Sequence, residues 1–246
     1  MTKAHIVGNH QLDGAILRWT RADIHLAEAS KLVVDWAENC KKALVRDHDG
    51  EYRFLHGWPP VPATLPVVVS DVVHNLRAAL DYIVYELAIK DSGSPQDGTQ
   101  FLIENVKSDP ADPRRGFDAR SKRCLKGLST THIAMIEDLQ PYRGVQWSET
   151  LRDISNPDKH RHLSVLITRG RQIQYEMFWT PDGEFEGKDF EMTPDGPRFH
   201  RFNVKLDGHE TIAIALPKLG QTSVMRTLRK LEAEVGRTIE LFKTQF

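Results

Sequence analysis

The sequence predicts an α+β protein: a helical bundle with an inserted antiparallel β-meander before the C-terminal helix. Three observations predict it. Apolar residues recur at three- and four-residue steps over 13–44, 66–90 and 222–244, the mark of core-facing helices. From Arg171 the pattern changes to that of strands. Two matching turns, Thr180-Pro181-Asp182-Gly183 and Thr193-Pro194-Asp195-Gly196, punctuate that stretch, with Pro and Gly where hairpin turns use them. The expected organisation is a single domain over 1–246, with the bundle over 13–170 and 220–246 and the sheet insertion over 171–217.

In chain order, the first helix carries Trp19, Ala22, Leu26, Ala29, Val33, Trp36, Cys40 and Leu44 on one stripe. A turn at Asp47–Gly50 leads to a short alternating strand over 51–56, and a proline-rich stretch follows. Pro66 suits a first helical turn, where its missing N–H costs nothing. The second helix, 66–90, has Val69, Val72, Val73, Leu76, Leu80, Ile83 and Leu87 on one side. Its other side carries Asp71, His74, Asn75, Arg77, Asp81, Tyr82 and Tyr85. At 100° per residue, His74 and Asp81 lie within about 20° of each other and roughly 10 Å apart along the axis. Asp71 stands three residues before His74, close enough for a carboxylate to orient the imidazole. Residues 91–130 read as loop, with a short strand at Phe101-Leu102-Ile103. A basic cluster follows: Arg114, Arg115, Arg120, Lys122, Arg123 and Lys126. Short helices are expected at 129–139 and 148–155. Asn156-Pro157 reads as an N-cap and first turn opening another helix through 168. Four strands at 172–179, 184–192, 198–206 and 210–216 form the meander. The stripe Met225, Leu228, Leu231, Val235, Ile239 and Phe242 makes the last helix.

The 246 residues carry 33 Lys+Arg against 34 Asp+Glu, a balance that argues against indiscriminate coating of nucleic acid but leaves room for a local anionic site. Two cysteines, Cys40 and Cys124, without metal-ligand spacing, fit a reducing cytoplasm rather than a disulfide scaffold. The N-terminal residues lack a signal-peptide pattern, and no segment approaches the ~18 apolar residues of a membrane span. No Gly-rich phosphate loop, dinucleotide fingerprint or nucleophile elbow is present.

Several ordered blocks carry a resemblance. They are Leu17-Arg18-Trp19 with Arg21-Ala22, then Ser70-Asp71-Val72-Val73-His74-Asn75-Leu76-Arg77-Ala78-Ala79-Leu80-Asp81-Tyr82. Phe101-Leu102-Ile103, Ile136-Glu137-Asp138-Leu139-Gln140-Pro141-Tyr142 and Asn156-Pro157-Asp158-Lys159-His160-Arg161 complete the set. Together they resemble a family of uncharacterised bacterial proteins with blocks of the form G-D-x-x-H-N-L-R-S-A-L-D, I-E-x-L-Q-P-Y and N-x-D-K-H-R, across roughly 17–165. Ser70 stands where that pattern has Gly. A looser similarity is to HEPN helical bundles, many of which are metal-independent ribonucleases with an Arg-polar pair shortly before a His. Here Arg152-Asp153 precedes His160 at a wider spacing, and Pro157 lies between them.

The HEPN similarity implies a metal-independent ribonuclease in a defence or toxin setting, acting on RNA or another anionic substrate. It also implies a homodimer, and it calls for no cofactor and no membrane. His160 would serve as general base on a ribose 2′-hydroxyl, with Lys159, Arg161 or Arg77 stabilising the phosphorane charge. The helix N-terminus opened by Asn156 would favour the anion. A second reading keeps the same residues non-catalytic, in a binding or scaffold protein. Asp158, Lys159 and Arg161 then pair with Asp71, Arg77 and Asp81, and His74, Asn75 and Asn156 join a structural network. A third reading, a metal-dependent small-molecule enzyme, has Asp71-x-x-His74, the reversed His25-x-x-Glu28 and Glu137. It lacks a second Glu-x-x-His, so no metal ligands are assigned.

Overall fold

The computed structural model describes residues 11–46, 52–54, 60–158, 166–167, 179–180, 183–184, 190–193, 196–199, 214–215 and 224–246. Six helices dominate them: α1 (Asp13–Ala43), α2 (Leu65–Ser92), α3 (Phe117–Cys124), α4 (Thr130–Glu137), α5 (Gln146–Asp158) and α6 (Val224–Lys243). A 3-10 turn at Pro141–Arg143 joins α4 to α5. No described helix is long and apolar enough to cross a membrane.

The described part of the protein is therefore helical, and the expected α+β class with its inserted β-meander is corrected. The strands among the described residues are paired fragments of two to four residues. The two Thr-Pro-Asp-Gly sequences do lie between paired residues, Thr180 with Gly183 and Thr193 with Gly196. The meander fails beyond them. Gly196–Phe199 pairs next with Tyr52–Phe54 from before α2, and Ile214–Ala215 pairs with Leu166–Ile167. Turn chemistry is local, whereas the choice of the next strand is not, so matching turns do not establish a meander.

Two further expectations change. Asn156 and Pro157 do not open a helix; they lie in the final turn of α5, which begins at Gln146. The chain at Asn156 thus meets the negative end of a helix dipole rather than the positive end. In addition, the loop read over 91–130 contains α3. Its buried side is only Phe117 and Cys124, too few apolar positions to show a stripe.

The chain divides into two compact units. One comprises Met1–Leu26, Val69–Leu163 and Thr227–Phe246; the other comprises Ala27–Val68 and Ser164–Arg226. In the second unit the described core includes Ala29, Trp36, Leu65 and Val68. In the first, α2 is buried along most of its length, with Val72, Leu76, Leu80, Ile83 and Leu87 fully covered. Removing such a side chain from water stabilises by roughly 1.5–3 kcal/mol. The apolar stripe of α6, Leu228, Leu231, Val235, Ile239 and Phe242, is buried as its spacing predicts. Ser129 caps α4 by accepting a hydrogen bond from the His132 N–H at 3.3 Å.

α1 approaches α6 through Trp19 and Gly236. The Trp19 indole N–H donates to the Glu232 carbonyl at 3.0 Å, which fixes the ring. A Cβ at Gly236 would stand 2.7 Å from Trp19 Cζ2, inside van der Waals contact. Gly236→Ala should gain about 1 kcal/mol of helix propensity but lose about 1–3 kcal/mol to overpacking against the fixed ring. We expect a net fall in the urea midpoint, with Trp19→Phe partly restoring stability in the Gly236→Ala background. A rise in the midpoint for Gly236→Ala alone would contradict the close packing.

Candidate functional site

The polar side of α2 does not act as one surface. His74 is exposed, and no hydrogen bond joins it to Asp71 among the described residues. Asn75 is buried, and its amide donates to the Asp71 carbonyl one turn earlier at 2.8 Å, while its Oδ1 is buried without a partner. Arg77 and Asp81 turn instead toward the segment Phe101–Glu104, which has no regular secondary structure.

Three of the ordered blocks, 70–82, 101–103 and 136–142, meet at that segment. Phe101, Leu102 and Ile103 are buried, so their backbone polar groups need partners inside the protein. The Phe101 N–H donates to Asp81 Oδ1 at 2.7 Å, and the Phe101 carbonyl accepts from Arg77 Nη2. Gln140, fully buried just before the 3-10 turn that follows α4, completes the bracket. Its amide nitrogen donates to the Leu102 carbonyl at 2.8 Å and to the Ile136 carbonyl at 2.9 Å. Its amide oxygen accepts from the Glu104 N–H at 2.8 Å. Three side chains thus do for this segment what a neighbouring strand would do in a sheet.

Electrostatics follow the same geometry. Burial lowers the Arg77 guanidinium from its ordinary value, and Asp81, 3.9 Å away, offsets part of that effect. Arg77 Nη1 is buried without a hydrogen-bond partner. Arg120 pairs with Glu104 at the segment's far end. Beside it, the Lys107 ammonium holds the Glu137 carboxyl below its usual range despite partial burial, with Arg143 assisting. These contacts are 2.6 and 2.8 Å. The Tyr142 ring packs edge-on against Phe117. Its hydroxyl is buried near Glu137 without hydrogen-bond geometry, and burial first, then the Glu137 charge, raises its ionisation well above the ordinary phenol range.

Of the other expected site residues, Lys159, His160 and Arg161 lie outside the described residues. Asn156 and Asp158 belong to the last turn of α5, with their side chains outside the description. Arg152, the nearest counterpart of a HEPN arginine, is held by Asp153 at 2.7 Å, by Asn105 and by Glu149. The basic cluster divides in two. Arg114, Arg115 and Arg120 face Asp112, Asp109 and Glu104, whereas Lys122, Arg123 and Lys126 have no ion pair among the described residues. No group of three or more His, Cys, Asp or Glu side chains is gathered for a metal ion among them. Glu137, one of the metal-ligand candidates, is occupied by two cations.

One pair escaped the sequence reading. Asp91, near the end of α2, accepts from the Ser129 N–H at 2.7 Å and from His132 Nδ1 at 2.6 Å. A carboxylate only accepts, so the imidazole carries its proton on Nδ1. The available signal was Ser129-x-x-His132 at a helix start; Asp91 had none, because it lies 38 residues before Ser129. Burial pushes the Asp91 carboxyl up, but the Ser129 and His132 hydrogen bonds together outweigh it and hold the group below its ordinary value.

Comparison with known proteins finds no matching family model, no matching curated protein and no matching solved structure.

Gln140→Leu removes both ends of the bracket and strands the Leu102 carbonyl and the Glu104 N–H. The expected loss is about 1–3 kcal/mol per stranded group in chemical denaturation. A loss within error would show that water replaces the amide. For Asp91, the depressed folded value gives a definite sign. Its stabilisation is fully present above the unfolded value of about 4 and is lost as pH falls through the lower folded value. Asp91→Asn should melt below the parent at neutral pH, and the gap should narrow as the solution is acidified. A gap that stays constant would assign the effect to packing.

Proposed function

We propose that this chain is a non-catalytic binding or scaffold protein whose H-N-L-R-x-A-L-D and I-E-x-L-Q-P-Y blocks build its interior. The observation that supports this reading is the commitment of both Arg77 and Asp81 to the Phe101 backbone. A guanidinium needed for phosphorane charge must face the substrate; this one is buried and turned onto a carbonyl. The blocks divide the same way along their length. Leu76, Leu80 and Ile136 fill the core, Gln140 brackets the segment, and Glu137 pairs with surface cations.

The ribonuclease reading loses one of its supports as well. Its anion site relied on a helix N-terminus at Asn156, and that residue belongs to the carboxyl end of α5. The two readings separate in one experiment. The purified protein is incubated with single-stranded and folded RNA, alongside Arg77→Lys, Asp81→Asn and His160→Ala variants. The scaffold reading expects no cleavage above a protein-free control. It also expects a lower melting temperature for Arg77→Lys and Asp81→Asn, since each weakens a bond to a buried backbone group. Cleavage that disappears in His160→Ala would overturn it in favour of the ribonuclease.

A further inference from the structure

Helices α1 and α2 present an uncovered face within the first unit. Of seven exposed large hydrophobic residues described, four lie on these two helices inside that unit: Leu17, Ile24, Tyr82 and Tyr85. Single exposed apolar side chains need no explanation, but a cluster on adjoining helices does. The helices adjoin at this point. A Cβ at Gly14 would lie 2.6 Å from the Tyr82 ring, and the Arg18 guanidinium stands 5.9 Å from the centroid of the same ring. Leu17, Arg21 and Ile24 follow one another at four and three residues on α1, and Tyr82, Tyr85 and Glu86 share a side of α2.

The charges on this face are separated by helix. α1 contributes the exposed cation Arg21, which has no ion pair among the described residues. α2 contributes Glu86, half-buried and also without an ion pair among them. Burial raises the Glu86 carboxyl above its usual range. A surface with an apolar centre, a cation on one helix and an acid on the other is complementary to itself. Turned about a two-fold axis, the α1 cation of one copy meets the α2 acid of the other, and the apolar residues meet at the middle.

We propose that the α1–α2 face pairs with the same face of a second copy of this chain, Arg21 of each protomer meeting Glu86 of the other. This names a partner for the scaffold reading and rests on it only to that extent. A dimer that cleaves RNA would overturn that reading and leave the pairing intact. A monomer that leaves RNA whole would overturn the pairing alone.

The test is sedimentation equilibrium of the full chain over a wide range of protein concentration. A reversible dimer is expected. Leu17→Glu combined with Tyr85→Glu should weaken it by roughly tenfold or more, since charge is placed at the centre of the face. Helical circular dichroism at low protein concentration checks that this variant folds. Arg21→Glu and Glu86→Arg, both exchanges at the rim, should each weaken the dimer, and the two together should restore it. A chain monomeric throughout overturns the proposal. So does a dimer indifferent to all of these substitutions, or one in which the double charge exchange is no better than either single exchange.

Discussion

A buried segment without a strand beside it is the constraint on which the first unit depends. Phe101–Ile103 lie in the core, where an unpaired backbone N–H or C=O costs as much as a lost hydrogen bond. Burying the apolar side chains therefore requires partners for the main chain. α2 supplies Arg77 and Asp81 to Phe101, and the turn that follows α4 supplies Gln140 to Leu102 and Glu104. The positions of both helices are tied to the segment through these bonds. The bracket also accounts for a glutamine and an arginine, both costly to bury, in the interior: Gln140 forms three hydrogen bonds to main-chain groups, and Arg77 donates to the Phe101 carbonyl.

Around this centre other described polar contacts secure connections between elements. Asp91 links the end of α2 to the start of α4, accepting from the Ser129 backbone N–H and from the His132 imidazole. Glu137 draws Lys107 and Arg143 together at the end of α4. The serine hydroxyls of α5 turn back on local carbonyls, Ser148 on Val145 and Ser155 on Arg152. Asp91, Glu137, Ser148 and Ser155 each have a structural neighbour that accounts for their place.

The long helices were legible in the sequence because burial imposes a period that a single residue cannot hide. The stripes of α1, α2 and α6 mark their extents to within a few residues, and Ser129 marks the start of α4. α3 was hidden because two buried positions, Phe117 and Cys124, make no period. The β-meander was misread because two good turns say nothing about which segment lies alongside. The site was legible by half. Arg77, Asp81 and Asn75 stood out as polar positions on an apolar helix, but the groups they serve belong to the main chain. Main-chain donors and acceptors are common to every residue, so no pattern of side chains reveals them. His74 looked like a member of the same cluster because angular proximity on a helix is visible in sequence, whereas the direction of solvent is not.

Recognition of the main chain has a consequence for how this region tolerates substitution. A carbonyl at position 102 is a carbonyl whichever residue occupies it, so Gln140 reads the path of the chain and not the identity of Leu102. Exchanges at 101 or 102 among apolar residues of similar volume leave the bracket's partners in place. The reverse freedom does not exist: at 77, 81 and 140 the donor or acceptor belongs to the side chain itself. Variation in this unit is accordingly asymmetric. The held segment is free to drift within the limits of packing, and the residues that hold it are not.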